Sequence, residues 1–149
     1  MRGGTNTLAQ VKRTTIRPID VHPTNGYAHA LRVGETLYIS GQVPRNPDNS
    51  IVDPSDLEAQ IRRVFANLLG VLKAAGGNAS SLVKVTTFLT DQGQFDTWRR
   101  VRSEVFLEPY PASTLVVVDS LSYPEYLIEM EAIAVLDGPP PGARSAPVG

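Results

Sequence analysis

One long amphipathic segment, "PSDLEAQIRRVFANLLGVLKAAGG", constrains this chain more than any other feature. Leu57, Ile61, Val64, Phe65, Leu68 and Leu72 recur at helical spacing, so the segment reads as a helix with one apolar stripe that must be buried. Ser55 and Glu58 are spaced as a capping box at its start, and Gly76 stands at its stop. A second segment, "QFDTWRRVRSEVF", brings Phe95, Trp98, Val101, Val105 and Phe106 to the same spacing before the proline-flanked "EPYP" ends it. Two striped helices need an apolar surface to lie on, and the rest of the chain offers a sheet.

Before the first helix, "TTIRPI", "YAHALRV" and "TLYISGQV" read as strands, with "VGE" suited to a hairpin between the last two. Gly41 within the third run points to a bulge or a close backbone approach. "SLVKVTTFLT" is β-rich, "STLVVVD" is a continuous apolar run as expected of a strand covered on both faces, and "YLIEMEAIAVLD" alternates around Glu129 and Glu131. The order β-β-β-α-β-α-β-β predicts an α+β fold, a mixed sheet with both helices packed on one face. The other face is then bare. With Val116, Val118, Ile128 and Met130 on the sheet, that face is expected to be buried by oligomerisation. A single domain over 14–137 is expected, with 1–13 and the proline-rich 138–149 as flexible tails.

Composition removes several classes of function. The 149 residues hold 14 Lys and Arg against 15 Asp and Glu, with neither sign concentrated, so the basic footprint of a nucleic-acid binder is missing. There is no cysteine, which excludes disulfides, thiolate nucleophiles and thiolate metal sites. No apolar run approaches the roughly 18 residues of a membrane span, and "MRGGTNTLAQVKR" lacks the apolar stretch of a secretory signal, so a cytoplasmic protein with no membrane partner is expected.

Few residues are left to carry chemistry. Glu129 and Glu131 share one face of an apolar strand by the period of two, and carboxylates in such a place need a partner or access to water. Two readings stay open: a structural pair at solvent or at a subunit boundary, or a general acid/base whose pKa is raised by apolar neighbours. Tyr27 and His29, two apart, would line one pocket wall, although a histidine without further ligands is more often structural. The only other histidine, His22, precedes Pro23 in a loop, and the pair gives no metal motif, so neither a metal nor a cofactor is expected. Ser40-Gly41 can offer a hydroxyl and free amides to a ligand, but no triad partner or G-x-S-x-G supports a nucleophilic serine. "AAGGNASS" follows a helix and lacks the lysine of a phosphate loop.

Taken together, "NGYAHALRVGETLYISGQVP", "LEAQIRRVFANLLGVLKAAGGNASSLVKVTTFLTD", "PYPASTLVVV" and "IEMEAIAV" resemble the RidA (YjgF) family, small proteins that hydrolyse reactive 2-imino acids to 2-keto acids and ammonia. The resemblance implies a chorismate-mutase-like α+β fold and a homotrimer whose sheets form a central barrel, with small-molecule clefts between subunits. On the positions that match, it implies that Tyr27, Ser40 and Gly41 line the pocket and that Glu129 positions or activates the attacking water.

The hinge before the apolar run departs from the family's pattern. Where the active deaminases read P-A-R-S, this chain reads Pro111-Ala112-Ser113-Thr114, so Ser113 stands in the place of the arginine that clamps the substrate carboxylate. Gly93 stands at a position that is often asparagine. An arginine fork gives two charge-assisted hydrogen bonds where a serine hydroxyl gives one neutral donor. Losing a charged partner in a buried cleft costs about 2–5 kcal/mol, roughly 30- to 4,000-fold in affinity for an anion. The readings that follow are a hydrolase for an imine, enamine or related C–N compound that is neutral at the Ser113 end, then a trimer that binds a metabolite without turning it over, and third a ribonuclease. Arg45 and Arg32 are the basic residues nearest in sequence to the pocket elements, and both also read as surface arginines beside turns.

Overall fold

A computed structural model describes residues 10–138. Apart from 10–13 and 138, the two segments expected as tails lie outside the described residues. In chain order the elements are β1 (Thr14–Ile16), β2 (Ala30–Val33), β3 (Thr36–Gln42), α1 (Leu57–Ala74), β4 (Leu82–Leu89), α2 (Phe95–Val105), β5 (Ala112–Val117) and β6 (Ile128–Val135). They form one mixed sheet in the order β1-β2-β3-β6-β4-β5, with β4 and β5 parallel and every other neighbouring pair antiparallel. The element order, the mixed sheet and the helical layer follow the α+β expectation.

The α1 stripe accounts for this packing. Ile61, Val64, Phe65, Leu68 and Leu72 are buried against Leu37, Ile39, Ile128, Met130 and Ala132, the helix-facing rows of β3 and β6. α2 adds Trp98 and Val101, and the Phe65 and Phe106 rings meet edge to face, 5.4 Å apart. On the outer surface of the helices, Arg62 bridges Glu58 and Glu104 while Arg100 reaches Glu58. Gly34, at a φ of 59°, lies in the two-residue turn between paired Val33 and Thr36, the geometry that makes "VGE" a hairpin. Gly76, at 86°, follows the end of α1, where the amide of Gly77 donates to Leu72 O at 2.8 Å.

Several local expectations shift. The α1 cap is Asp56 rather than Ser55: the Asp56 carboxylate accepts from the Ala59 amide at 2.9 Å, while the Ser55 amide and hydroxyl both donate to Asp53. β1 stops at Ile16, ahead of Pro18, which has no N–H for the ladder. β2 begins only at Ala30, because the chain bends through Asn25–Tyr27 beside Gly26 at φ 80°, so Tyr27 and His29 precede the strand. Ile128 and Met130 lie beneath the helices and add nothing to the open face.

The largest correction concerns "STLVVVD". β5 is an edge strand paired only with β4, and within one chain most of it is exposed, with Leu115 alone packed on the core. Its apolar run is therefore not covered on both faces by the chain itself. Across the open face, Val116, Tyr38 and Val135 remain 38%, 52% and 42% exposed.

Candidate functional site

Two buried side-chain amides on α1 shape the region where β3 and β6 meet. Gln60 donates to Val52 O at 3.0 Å and Glu125 O at 2.8 Å and accepts from the Leu127 amide at 2.9 Å, which fixes the approach to β6. Asn67 donates to Val43 O at 2.9 Å and Arg45 O at 3.0 Å, which fixes the exit from β3. They stand seven residues apart, two turns along one side of a helix. Sequence reasoning passed over both, and the signal was two amides set within an apolar stripe.

These anchored segments frame a cleft of about 570 Å³ lined by His22, Pro23, Tyr27, Ser40, Gly41, Arg45, Tyr123, Tyr126 and Glu129, among others. Of the sequence-derived candidates, it brings together Tyr27, Ser40, Gly41 and Glu129. A second cleft of about 480 Å³, on the open sheet face, is lined by Tyr38, Lys84, Thr86 and Glu131 and shares Tyr27 and Ser40 as its wall. Glu129 and Glu131 thus open into different clefts although they share a strand face. The first cleft has the more varied chemistry, with an acid, a guanidinium, three phenols and an imidazole.

Gly41 seats Glu129. The β3–β6 register shifts between Ile39 and Gln42, so a bulge stands where sequence placed one. The bulge presses the chain onto the acid: a Cβ at residue 41 would lie 1.8 Å from Glu129 Oε1 and 2.8 Å from Cδ. Glu129 is half-buried and makes no ion pair among the described residues. Burial, and then the neighbouring charge of Glu131, push its pKa above the ordinary carboxylate value. A carboxylate so placed can take a proton from water and hand it on.

The surrounding groups are ordered by polar contacts. Ser40 Oγ donates to Ala28 O at 2.7 Å, leaving its lone pairs to face the cleft as acceptors. Tyr27 is half-exposed, and burial, Tyr126 and Glu129 raise its pKa against the opposing pull of Arg45. His29 is structural: Nε2 donates to His22 O at 2.7 Å, and Gln42 Nε2 donates to Nδ1 at 3.2 Å. His22 is buried, with Nδ1 donating to Pro23 O at 3.1 Å and Nε2 without a partner. Tyr123 and Tyr126 were not anticipated from sequence, being held to Arg45 only by the fold.

The remaining candidates lie elsewhere on the chain. Gly93 is in an exposed 3-10 turn, its amide donating to Asp91 Oδ1 at 2.6 Å. Glu129 pairs across β4 Phe88, whose own β5 partner is Val116, so Ser113 stands two strands away and three residues along, about 10 Å in each direction. Ser113 shares the helix-facing row of its partner Val85, and Thr114 the open-face row of Thr86, where Lys84 Nζ donates to its hydroxyl at 3.4 Å. Of the two arginines, Arg45 lines the Glu129 cleft. Arg32 is buried away from it, donating to Gly34 O and Gly138 O. Among the described residues no cluster of three or more His, Asp or Glu could hold a metal ion, and no helix is long and apolar enough to cross a membrane.

A six-stranded sheet backed by two helices, with an acid-bearing cleft of small-molecule size beside a β-bulge, defines an α+β protein with a candidate small-molecule site. Residues 18–136 match the family described as Endoribonuclease L-PSP. A RutC family protein of Pyrococcus abyssi is 38% identical over 112 residues, covering 75% of this chain and 87% of that one. The 2-iminobutanoate/2-iminopropanoate deaminase of mouse is 33% identical over 128 residues, covering 86% and 92%. The crystal structure of RidA from an Antarctic Psychrobacter superposes with a TM-score of 0.78 at 32% identity, over 83% of this chain and all of that one. The chain belongs to the RidA (YjgF) family.

Proposed function

We propose that the protein is a small-molecule hydrolase that converts an imine, enamine or related C–N compound to the carbonyl compound and ammonia, with Glu129 activating water. The carrying observation is the acid itself: half-buried, pressed on Gly41, without an ion-pair partner among the described residues, and of raised pKa. In the reaction, Glu129 takes a proton from water as the water oxygen bonds to the carbon of the protonated imine and the C=N π pair moves to nitrogen, giving a neutral carbinolamine. Glu129 returns that proton to nitrogen and takes the hydroxyl proton as the C–N bond breaks, so that ammonia leaves as the carbonyl forms. Tyr27 and Ser40 flank the reacting atoms. The deaminase names among the relatives support this class of reaction.

Assembly belongs to the same reading. Three copies packing through their open sheet faces would cover Tyr38, Val116 and Val135, and would let β5 of one copy approach the Glu129 cleft of the next, which Ser113 and Thr114 do not reach in their own chain. Gly93 would join from its turn. Light scattering is expected to give the mass of three chains, and a single-chain mass would overturn the assembly.

A second reading, a trimer that holds a metabolite without turnover, is favoured by the serine at 113, which leaves no charge where the deaminases that the chain resembles carry arginine. Ribonuclease activity, suggested by the family's description, is opposed by a net charge of −1 and the lack of a basic aromatic stripe. The experiment that separates them is imine hydrolysis, with the imine made in place by an amino-acid oxidase and the survivors trapped, on the native protein beside Ser113→Arg. Acceleration by either protein supports the hydrolase, and Ser113→Arg is expected to favour 2-imino acids over uncharged imines relative to native. Silence from both, with uncharged imines included, would leave the binding role.

A further inference from the structure

Arg45 is the only arginine or lysine among the described residues lining the Glu129 cleft. Its backbone is held to α1 through Asn67, and its side chain is held three ways. Nε donates to Tyr126 Oη, Nη1 donates to Asn49 O at 2.7 Å, and Cζ lies 4.8 Å from the Tyr123 ring centroid and 5.5 Å from that of Tyr126. Stacking of this kind fixes the guanidinium plane in advance, so little rotamer entropy is lost when it binds a ligand. None of these partners is anionic. No carboxylate among the described residues pairs with Arg45, and its Nη2 has no protein acceptor among them. An oriented, half-buried cation with unused N–H donors is matched to an anion that the protein itself does not supply.

The acid of the cleft is not that anion. Glu129 lines the same cleft as Arg45, with Tyr27 and Tyr126, yet forms no ion pair with it. Next to them, His22 is 2% exposed and its Nε2 is buried without a partner, an acceptor for an N–H or O–H of a ligand. The cleft thus holds, within one chain, an acid, Glu129, and a guanidinium unpaired among the described residues, Arg45.

We propose that Arg45, seated on Tyr123 and Tyr126, is the specificity-determining residue of this cleft and selects ligands that carry a carboxylate at the Arg45 end, with His22 Nε2 accepting a hydrogen bond from the same ligand. This rests on the reading of the Glu129 cleft as the site, and it relocates anion recognition from position 113 to the segment that follows β3. The substrate class becomes an anionic C–N compound held by its carboxylate at Arg45.

The test is calorimetric binding of 2-oxobutanoate and of its uncharged amide to the native protein, Arg45→Gln, Arg45→Lys and Tyr126→Phe, with a thermal melt of each. The native protein is expected to prefer the acid, and Arg45→Gln to weaken the acid about 10- to 150-fold while the amide binds as before. Arg45→Lys keeps charge but not the fork and is expected to fall between. Tyr126→Phe, which frees the guanidinium without removing it, is expected to weaken the acid alone. Equal binding of acid and amide by the native protein, or acid binding indifferent to residue 45, overturns the proposal; should Arg45→Gln fail to fold, the acid-to-amide ratio in native protein and Tyr126→Phe still decides. Because binding is read without turnover, Arg45-dependent binding with no Glu129-dependent hydrolysis would keep this subsite and discard the hydrolase. Hydrolysis that needs Glu129 and ignores Arg45 would do the reverse.

Discussion

Glu129→Gln is expected to lower hydrolysis of a C–N substrate by roughly 10²- to 10⁴-fold, the range a positioned general base contributes, while leaving substrate binding within a few-fold of native. The amide keeps the shape of the acid and cannot accept the proton of water. The same change is expected to stabilise the fold at neutral pH. Burial raises the folded pKa of Glu129 above 4.5, so the native state holds this proton more tightly than the unfolded chain. The stabilising contribution of that proton is complete below pH 4.5 and is lost as pH rises through the folded value, after which the ionised acid is a standing penalty. Thermal midpoints of native and variant should therefore coincide in acid and separate above pH 4.5, with the variant higher. Unchanged turnover would remove Glu129 from the chemistry, and a variant melting below native at pH 8 would show that the acid is held by partners rather than desolvated.

How far the sequence carries this site depends on the distance over which each feature is decided. Helices α1 and α2 were legible because their stripes repeat every three to four residues and must meet a sheet, and the "VGE" hairpin because Gly34 alone meets its turn. The shared strand face of Glu129 and Glu131 was legible from a period of two. That they open into separate clefts was not, because the division is made by Tyr27 and Ser40 from a distant part of the chain. The apolar run of β5 was over-read: continuous hydrophobicity reports that a strand is to be covered, and it does not say whether its own chain or another copy covers it. Arg45 and Tyr126 are 81 residues apart, and their contact depends on Gln60 and Asn67 holding two loops to one helix. No local pattern encodes a partnership of that kind, so an arginine beside a turn looked like surface.

Gly41→Ala is expected to cost nearly as much turnover as Glu129→Gln, without unfolding the protein. The added methyl would fall 1.8 Å from Glu129 Oε1, 2.8 Å from Cδ and 3.1 Å from Cγ, so rotation of one oxygen is not enough and the whole carboxylate must leave its seat. What the methyl meets is the end of a flexible side chain, with no backbone atom among its nearest contacts. Gly41 also has an ordinary backbone conformation that alanine can adopt, so the fold bears little strain and the unfolded chain loses some freedom. The thermal midpoint should hold while the rate falls. A double variant, Gly41→Ala with Glu129→Gln, should be no slower than the worse of the two, because the first acts by displacing the group that the second disables. Additive losses would mean that Gly41 serves the reaction through its own backbone at the bulge, and full activity in Gly41→Ala would mean that the acid works from a position other than the one it holds against β3.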